Sequence, residues 1–475
     1  MFKTLANAWK IKELRNKILF TIMIILLYRL GTAITVPFVN ANVVSYVIGG
    51  SSNGIFSLLT TMASGFETAS LFALGVQPYI TSSIVIQLLT VAIPALERLA
   101  KQGEEGKKKI TAITRYATIA IAVLSGIGYY LMLSTYEVSG VHALVYNKWY
   151  TAIVIVACFC AGSALVMWLA EKIDERGIGN GVSIILFANI VSRGVAVAQD
   201  FIYKVQLIID GSNARVFYDQ LGIGEYYKPG EWDWTYGVPA ILVMLLTTIG
   251  ILALIWFVIY ISDSERRIPV QYAKKVVGRK MYGGRNTNLP LKVNMAGVMP
   301  VIFASALLSL PTMIISFAQP ESGSFWAKVA DFIATGTWFN ALMTFILILA
   351  FAYFYVAISF NPVEVAGNLQ QNGGSIPGVR PGRPTSMFIK KVLSRVTLIG
   401  ALCLSVVAVV PTVVALILNA VGTWTNLPGL MATYAMVSEF VNSGTSIIIV
   451  VGVVLETVRE LEAQMTMRHY KGFLD

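Results

Sequence analysis

Few residues of this chain have the type and spacing that catalysis or metal binding requires. The two histidines, His142 and His469, lie too far apart for a metal site, and no His-Glu-x-x-His zinc motif is present. The segment Gly103–Lys107 has the wrong spacing for a phosphate-binding loop, and no Ser or Thr follows its lysine. No nucleophile with a partner base is evident within an apolar segment, as an intramembrane protease would need. We therefore expect that the chain is not an enzyme and holds no cofactor.

The three cysteines do not have the spacing of a metal site either. Cys158, Cys160 and Cys403 all fall inside apolar segments. The first two are separated by about 200° around a helix, so they cannot act as a paired ligand set. We expect all three to be buried small apolar side chains, without a disulfide or a zinc site.

Charged residues within apolar segments are the residues that an ion-coupled carrier would need near the middle of the membrane. Glu439 and Arg29 are the candidates, but both lie nearer to the ends of their segments, and we expect Arg29 to reach the lipid headgroups. An uncoupled pore is therefore favoured. A secondary transporter of a small solute, built from inverted repeats, remains the alternative.

The composition is that of a polytopic membrane protein. Of 475 residues, 56% are hydrophobic and 13% charged, which is too little charge to cover a soluble surface. Several uncharged windows exceed the roughly 18 residues that mark a membrane span. Ten spans are predicted, at about 18–36, 69–93, 113–133, 149–169, from 182 onwards, 237–261, 295–317, 339–360, 396–418 and 433–455.

The basic residues give these spans an orientation. Only seven of the 36 fall on the side opposite to the two termini, so the positive-inside rule predicts that both termini are cytoplasmic. Ten spans also divide into two halves of five, which would have inverted topology. The expected regions are an amphipathic lead at 1–17, an N-terminal half at 18–209, an external loop at 210–235, a C-terminal half at 236–455 with long loops at 263–292 and 361–395, and a tail at 456–475.

One membrane segment, Gly54–Pro94, looks broken in two. Its first piece, Ile55–Ser64, reaches only about half of the ~30 Å hydrocarbon core at ~1.5 Å per residue. The chain then turns through Glu67 and is predicted to restart as the span Ala69–Ile93. A half-helix inside a membrane must be covered by protein or line a wet cavity, because lipid cannot satisfy its end groups. The alternative is an amphipathic turn that lies on the membrane surface.

The loop 263–292 is strongly basic and has a regular pattern. Residues Arg267–Ala273 alternate as a β-strand does. A projecting basic element of this kind is suited to dock on phosphate-rich RNA or on an acidic protein. The alternative is that these charges only maintain the orientation of the protein. The candidate docking residues in this loop are Arg266, Arg267, Lys274 and Lys275.

Aliphatic side chains form two short stripes. Val76 and Ile80 are four residues apart, as are Val182 and Leu186, so each pair lies on one face of its helix. Aliphatic stripes that face a cavity form a dewetted constriction that blocks ions. In a chain this apolar, packing against lipid or core accounts for the same stripes.

Several motifs resemble the SecY family of protein-translocation channel subunits, and the resemblance covers essentially the whole chain. It is carried by Ala73–Ile80, Glu175–Gly181, Arg266–Lys274, Pro290–Asn294 with Ala296–Pro300, Pro377–Gly382 and Asn442–Ser446. The resemblance implies an all-α membrane protein whose ten helices form two inverted halves around an hourglass pore.

The resemblance also assigns roles to individual residues. A plug at about 55–68 would include Ile55, Phe56, Leu58, Leu59 and Met62. The constriction ring would be Val76, Ile80, Val182, Leu186, Ile302 and Ile449. A lateral gate between spans two and seven would have Thr81, Gln87, Asn294 and Leu310 at its matching positions. A hydrogen bond between Gln87 and Asn294 would latch this seam, unless each side chain bonds within its own helix.

The family's partners follow from the same resemblance. They are the subunits SecE and SecG, the motor ATPase SecA, the ribosome, signal peptides and unfolded polypeptides, within the lipid bilayer of the bacterial plasma membrane. Arg380 and Tyr470 resemble positions that couple to the motor, and Arg383 lies in the same docking region.

Overall fold

A computed structural model describes residues 7–50, 63, 65–138, 141–146, 149–209, 234–272, 275–277, 280–282, 286–318, 324–334, 336–425 and 443–471. The predicted plug residues Ile55, Phe56, Leu58, Leu59 and Met62 lie outside these ranges. So does most of the expected external loop at 210–235.

Helices dominate the described residues. In the first half of the chain they are α1 Lys12–Ala33, α2 Ala41–Gly50, α3 Gln77–Ala92, α4 Pro94–Ala100, α5 Glu104–Thr135, α6 Trp149–Arg176 and α7 Gly181–Ile209. In the second half they are α8 Trp234–Asp263, α9 Met299–Ala318, α10 Phe325–Ile333, α11 Trp338–Ser359, α12 Pro362–Gln371, α13 Arg383–Thr425 and α14 Ser443–Lys471. The strands are β1 Glu137–Val138, β2 Val141–His142, β3 Glu265–Tyr272, β4 Lys275–Val277, β5 Lys280–Tyr282, β6 Asn286–Lys292 and β7 Gly374–Ser375.

Each of the ten predicted spans overlaps one of these helices, namely α1, α3, α5, α6, α7, α8, α9, α11, α13 and α14. Within the described part of the chain, five helices are long and apolar enough to cross a membrane on their own, and α3 with α4 forms a sixth, bent candidate. Shorter apolar stretches begin α7, end α8 and begin α9. The helices agree with a multi-pass membrane protein and are consistent with ten spans.

The predicted start of span two at Ala69 is wrong, because the helix begins only at Gln77. Residues 65–76 form turns instead. Ala69 has a φ of 46° and Gly75 a φ of 54°, and both values are incompatible with a right-handed helix. Pro78 then suits the first turn of α3, where the missing N–H is not needed.

The charged stretch between the second and third predicted spans is largely helical. Pro94 ends α3, since the residue before a proline is pushed into extended backbone, and α4 turns away by 104°. α5 then begins at Glu104, where the acidic Glu104 and Glu105 complement the positive end of the helix dipole. The loop predicted at 361–395 is likewise mostly helical, because it contains α12 and the first residues of α13.

The two long loops of the second half join in one small sheet. β3 pairs antiparallel with β6, from Glu265 opposite Lys292 to Gln271 opposite Asn286. β7 adds to the other edge of β3, with Gln271 opposite Ser375. The strand predicted in the first loop is thereby confirmed. The apolar side chains beneath this sheet are Ile268, Val270, Leu291, Ile376 and Ile389, and we call sheet and side chains the loop domain.

Candidate pore and lateral gate

The six predicted ring residues all belong to, or pack against, one extensive buried apolar cluster, which we call the central cluster. Five of them are only 1–3% exposed, namely Val76, Ile80, Leu186, Ile302 and Ile449. Val182 is partly buried and packs against the same cluster. The six come from four elements, since Val76 precedes and Ile80 lies in α3, two lie in α7, and α9 and α14 contribute one each.

A glycine allows two of these elements to approach closely. Gly452 lies one turn after Ile449 on α14, and a Cβ at Gly452 would be 1.9 Å from the Cγ1 of Val298. No side chain fits in that space, so α14 packs directly on the residue that precedes α9. Ile449 and Ile302 each lie about one turn from this contact, and both belong to the central cluster.

The seam between α3 and α9 contains a hydrogen bond that sequence reasoning missed. The Nε2 of Gln77 donates to the Oγ of Ser309 at 2.5 Å. The same nitrogen lies 3.5 Å from the carbonyl oxygen of Ala306, to which Ser309 also donates. Gln77 and Ser309 are both buried. Gln77 precedes Ile80 by three residues, so the face of α3 that carries the ring also carries this polar contact.

The predicted gate residues have more varied surroundings. The Oγ1 of Thr81 is buried without a hydrogen-bond partner among the described residues. Gln87 donates to Ser83 of its own helix at 3.1 Å, so of its two predicted alternatives the bond within the helix is the one formed. Asn294 and Leu310 are partly buried. Gln87 bonds to Ser83 and not to Asn294 across the seam, because side chains four residues apart on a helix are within reach of each other.

Two arginines near the ends of their predicted spans bind to other elements. Arg29 donates to the carbonyl oxygen of Ala188 on α7, which corrects the expectation that it reaches the headgroups. Arg193 on α7 forms an ion pair with Glu67 at 3.0 Å. α7 is therefore tied to α1 on one side and to the turns at 65–76 on the other.

The candidate docking residues gather on the loop domain. Arg266 and Arg267 are exposed on β3, and the Nε of Arg267 lies 2.6 Å from the Oε1 of Glu265. Arg383 is exposed at the first position of α13 and Arg380 is exposed three residues before it, close to β7 in the chain. Because β7 pairs with β3, both loops contribute arginines to the same small domain. Lys274 lies outside the described residues, as do the side chains of Lys275 and Tyr470.

Comparisons with known proteins agree with this arrangement. The family model SecY matches residues 70–458. The protein translocase subunit SecY of Streptomyces coelicolor is 41% identical, and that of Mycobacterium tuberculosis is 38% identical, each over 100% of both chains. None of these relatives is a carrier of small solutes, so that alternative receives no support.

Solved structures show the same fold. A protein-conducting channel superposes with a TM-score of 0.56 at 16% identity, over 94% of this chain and 92% of that one. The Sec61 channel of the canine ribosome-channel complex gives a TM-score of 0.54 at 16% identity over the same shares. Full-length relatives, a family match over most of the chain and the shared fold lead to one conclusion: the chain belongs to the SecY family and forms a protein-conducting channel.

Proposed function

We propose that unfolded secretory polypeptides pass through the ring of Val76, Ile80, Val182, Leu186, Ile302 and Ile449, and that membrane-protein segments leave sideways between α3 and α9. The observation that supports this most directly is that all six aliphatic residues belong to, or pack against, the central cluster. A constriction lined only by aliphatic groups excludes water and ions when it is empty. Such side chains have no polar group to hold a passing peptide.

The seam between α3 and α9 is suited to open sideways. Its bond between Gln77 and Ser309 is worth about 1 kcal/mol, the usual size for polar contacts between membrane helices. Burying one methylene group contributes about 0.8 kcal/mol, so a signal peptide with a few leucines offsets the loss of this bond. The seam therefore stays closed until a sufficiently apolar segment enters it.

The segment before α3 is proposed to carry a plug at about 55–68. Support comes from the last residues of this range and from those that follow it. The hydroxyl of Tyr129 donates to the carbonyl oxygen of Phe66 at 2.6 Å, and Thr35 forms a bridge with Ser70. A plug needs such a fixed root if it is to leave and return to one position.

The loop domain is proposed to dock the motor ATPase SecA or the ribosome, with SecE and SecG as further subunits. Support comes from the exposed arginines that both loops bring together, and from the presence of a related fold in a ribosome-channel complex. The motor would supply the energy, and the chain itself would hydrolyse nothing. We place the protein in a bacterial plasma membrane with both termini in the cytoplasm, since the basic residues concentrate on that side.

A disulfide across the seam tests the lateral gate. Thr81→Cys with Leu310→Cys joins α3 to α9, so oxidation should block export of a secretory protein and reduction should restore it. The matched control is Val85→Cys with Ile314→Cys, on the same two helices, where both native side chains are exposed. Export that continues while the Thr81–Leu310 pair is fully oxidised would rule out opening at this seam.

A further inference from the structure

The turn between α6 and α7 is held by three separate helices. It contains residues 177–181, and Gly179 has a φ of 81°. Four of its backbone N–H groups have partners: Gly177 donates to Ile173 at 2.7 Å, Ile178 to Thr21 of α1 at 3.2 Å, Gly179 to Glu460 of α14 at 2.7 Å, and Gly181 to Asp174 of α6 at 2.7 Å. A turn with this many outside partners is fixed in position.

Glu460 connects this turn to two further groups. One carboxylate oxygen accepts from Gly179, and the other accepts from the Nε2 of Gln464 at 3.0 Å. The Oε1 of Gln464 accepts in turn from the Nζ of Lys17 on α1 at 3.1 Å. A chain of hydrogen bonds thus runs from α1 through α14 to the turn.

The negative charge of Glu460 does not by itself stabilise α14. Glu456 and Glu460 lie four residues apart, where like charges repel. Burial and the charge of Glu460 raise the pKa of Glu456. The repulsion is offset by the charge-assisted bond to Gly179, since such bonds are roughly twice as strong as neutral ones.

Apolar packing holds the same joint. Ile178 is 2% exposed and lies in a small cluster with Leu14 of α1, Leu461 of α14 and Ala8. A Cβ at Gly179 would lie 2.9 Å from the Cδ1 of Ile184 and 3.1 Å from the Oγ1 of Thr457. The backbone of the turn therefore lies directly against α14, and we call this contact the turn joint.

The turn joint lies next to the proposed ring in the chain. Val182 follows Gly181 directly, and Leu186 lies one turn further along α7. On the opposite element, Ile449 precedes Glu460 by eleven residues, or about 16 Å along α14 at ~1.5 Å per residue. Any slide or tilt of α7 against α14 at the turn joint therefore moves Val182 and Leu186 relative to Ile449.

We propose that Glu460 is a positioning residue of the pore, whose bond to the Gly179 N–H sets the position of α7 against α14 and so closes the ring at Val182 and Leu186. This inference rests on the proposed ring. Without the bond, α7 is free to shift, and the ring no longer seals.

Two measurements on the complete channel complex in lipid vesicles test this role. The first is hydrogen exchange of the peptide that contains residues 177–181, and the second is ion leak through the resting channel. Glu460→Ala removes the acceptor, so we expect several-fold faster exchange and several-fold greater leak. Glu460→Gln keeps an acceptor oxygen and should restore both largely to the original values. Glu462→Ala removes an exposed carboxylate on the same helix and should change neither.

Ile302→Asn serves as a reference that opens the ring directly. Leak with Ile302→Asn but not with Glu460→Ala would overturn the positioning role and leave the ring intact. Absence of leak in both variants would refute the ring itself, and the positioning role with it. Unchanged exchange in Glu460→Ala would show that the bond to Gly179 does not hold the turn.

Discussion

Ile302 on α9 and Ile449 on α14 each contribute one aliphatic side chain to the proposed ring. Both are at most 3% exposed. Ile302→Asn introduces an amide that has no partner in the central cluster and that attracts water instead. We expect the ring to hold water and the protein to export substrates with defective signal peptides several-fold better. Ile449→Asn should act in the same direction. The measurement is export of a secretory protein with a weakened signal sequence.

Ile302→Val is the matched control, because it keeps a branched aliphatic side chain and should leave the threshold for export almost unchanged. Equal export of the defective substrate by the Asn variant and the original protein would remove Ile302 from the ring.

At the scale of single residues, the sequence predicted aliphatic ring residues and missed a polar contact beside them. Val76 and Ile80 were singled out because spacing along one helix is a property of the sequence, and their role in a ring stays a prediction. Gln77 was missed because its partner, Ser309, lies 232 residues away on another helix. Nothing local to Gln77 distinguishes a side chain that bonds across a seam from one that bonds within its helix.

Among the elements, the turns at 65–76 pack directly against α6. A Cβ at Gly162 would lie 1.9 Å from the carbonyl oxygen of Leu71, and a backbone atom cannot move aside as a flexible side chain can. We expect Gly162→Ala to push these turns away from α6 and to cost about 1–3 kcal/mol of stability. The measurement is the midpoint of thermal unfolding of the purified protein in detergent.

Gly194→Ala on α7 is the comparison, since a Cβ there has nothing within 4 Å. This change should be neutral or stabilise the helix by about 0.5–1 kcal/mol. Equal unfolding midpoints for both alanine variants would contradict the tight contact at Gly162.

The same turns explain the largest error in the predicted elements. Residues 69–76 are apolar enough to be predicted as part of span two. Hydropathy contains no information about backbone conformation, so it cannot show that these residues form turns. Pairing of Thr35 with Ser70 and the left-handed conformation of Ala69 interrupt the helix. Both features depend on contacts with α1 and its flanking residues.

For the molecule as a whole, the loop domain carries the exposed arginines that we propose as docking residues. Arg380→Glu reverses one exposed charge without touching the buried side chains beneath the sheet. We expect it to reduce motor-driven export several-fold while assembly with the partner subunits is preserved. The measurement is the rate of export into vesicles with purified motor, alongside recovery of the intact complex.

Lys390→Glu reverses an exposed charge further along α13 and should have a much smaller effect. Export at the original rate by the Arg380 variant would exclude Arg380 from motor coupling.

The sequence by itself determined the membrane character, the places of the ten apolar segments and the preferred side of the basic residues. Those properties depend on the composition of neighbouring residues, and a window of about 20 residues is enough to recognise each of them. The burial of the six aliphatic residues in or against one cluster, the bond between Gln77 and Ser309 and the pairing of β7 with β3 were decided only by the tertiary structure. Each of these contacts depends on the relative position of distant elements, which local hydropathy and spacing do not specify.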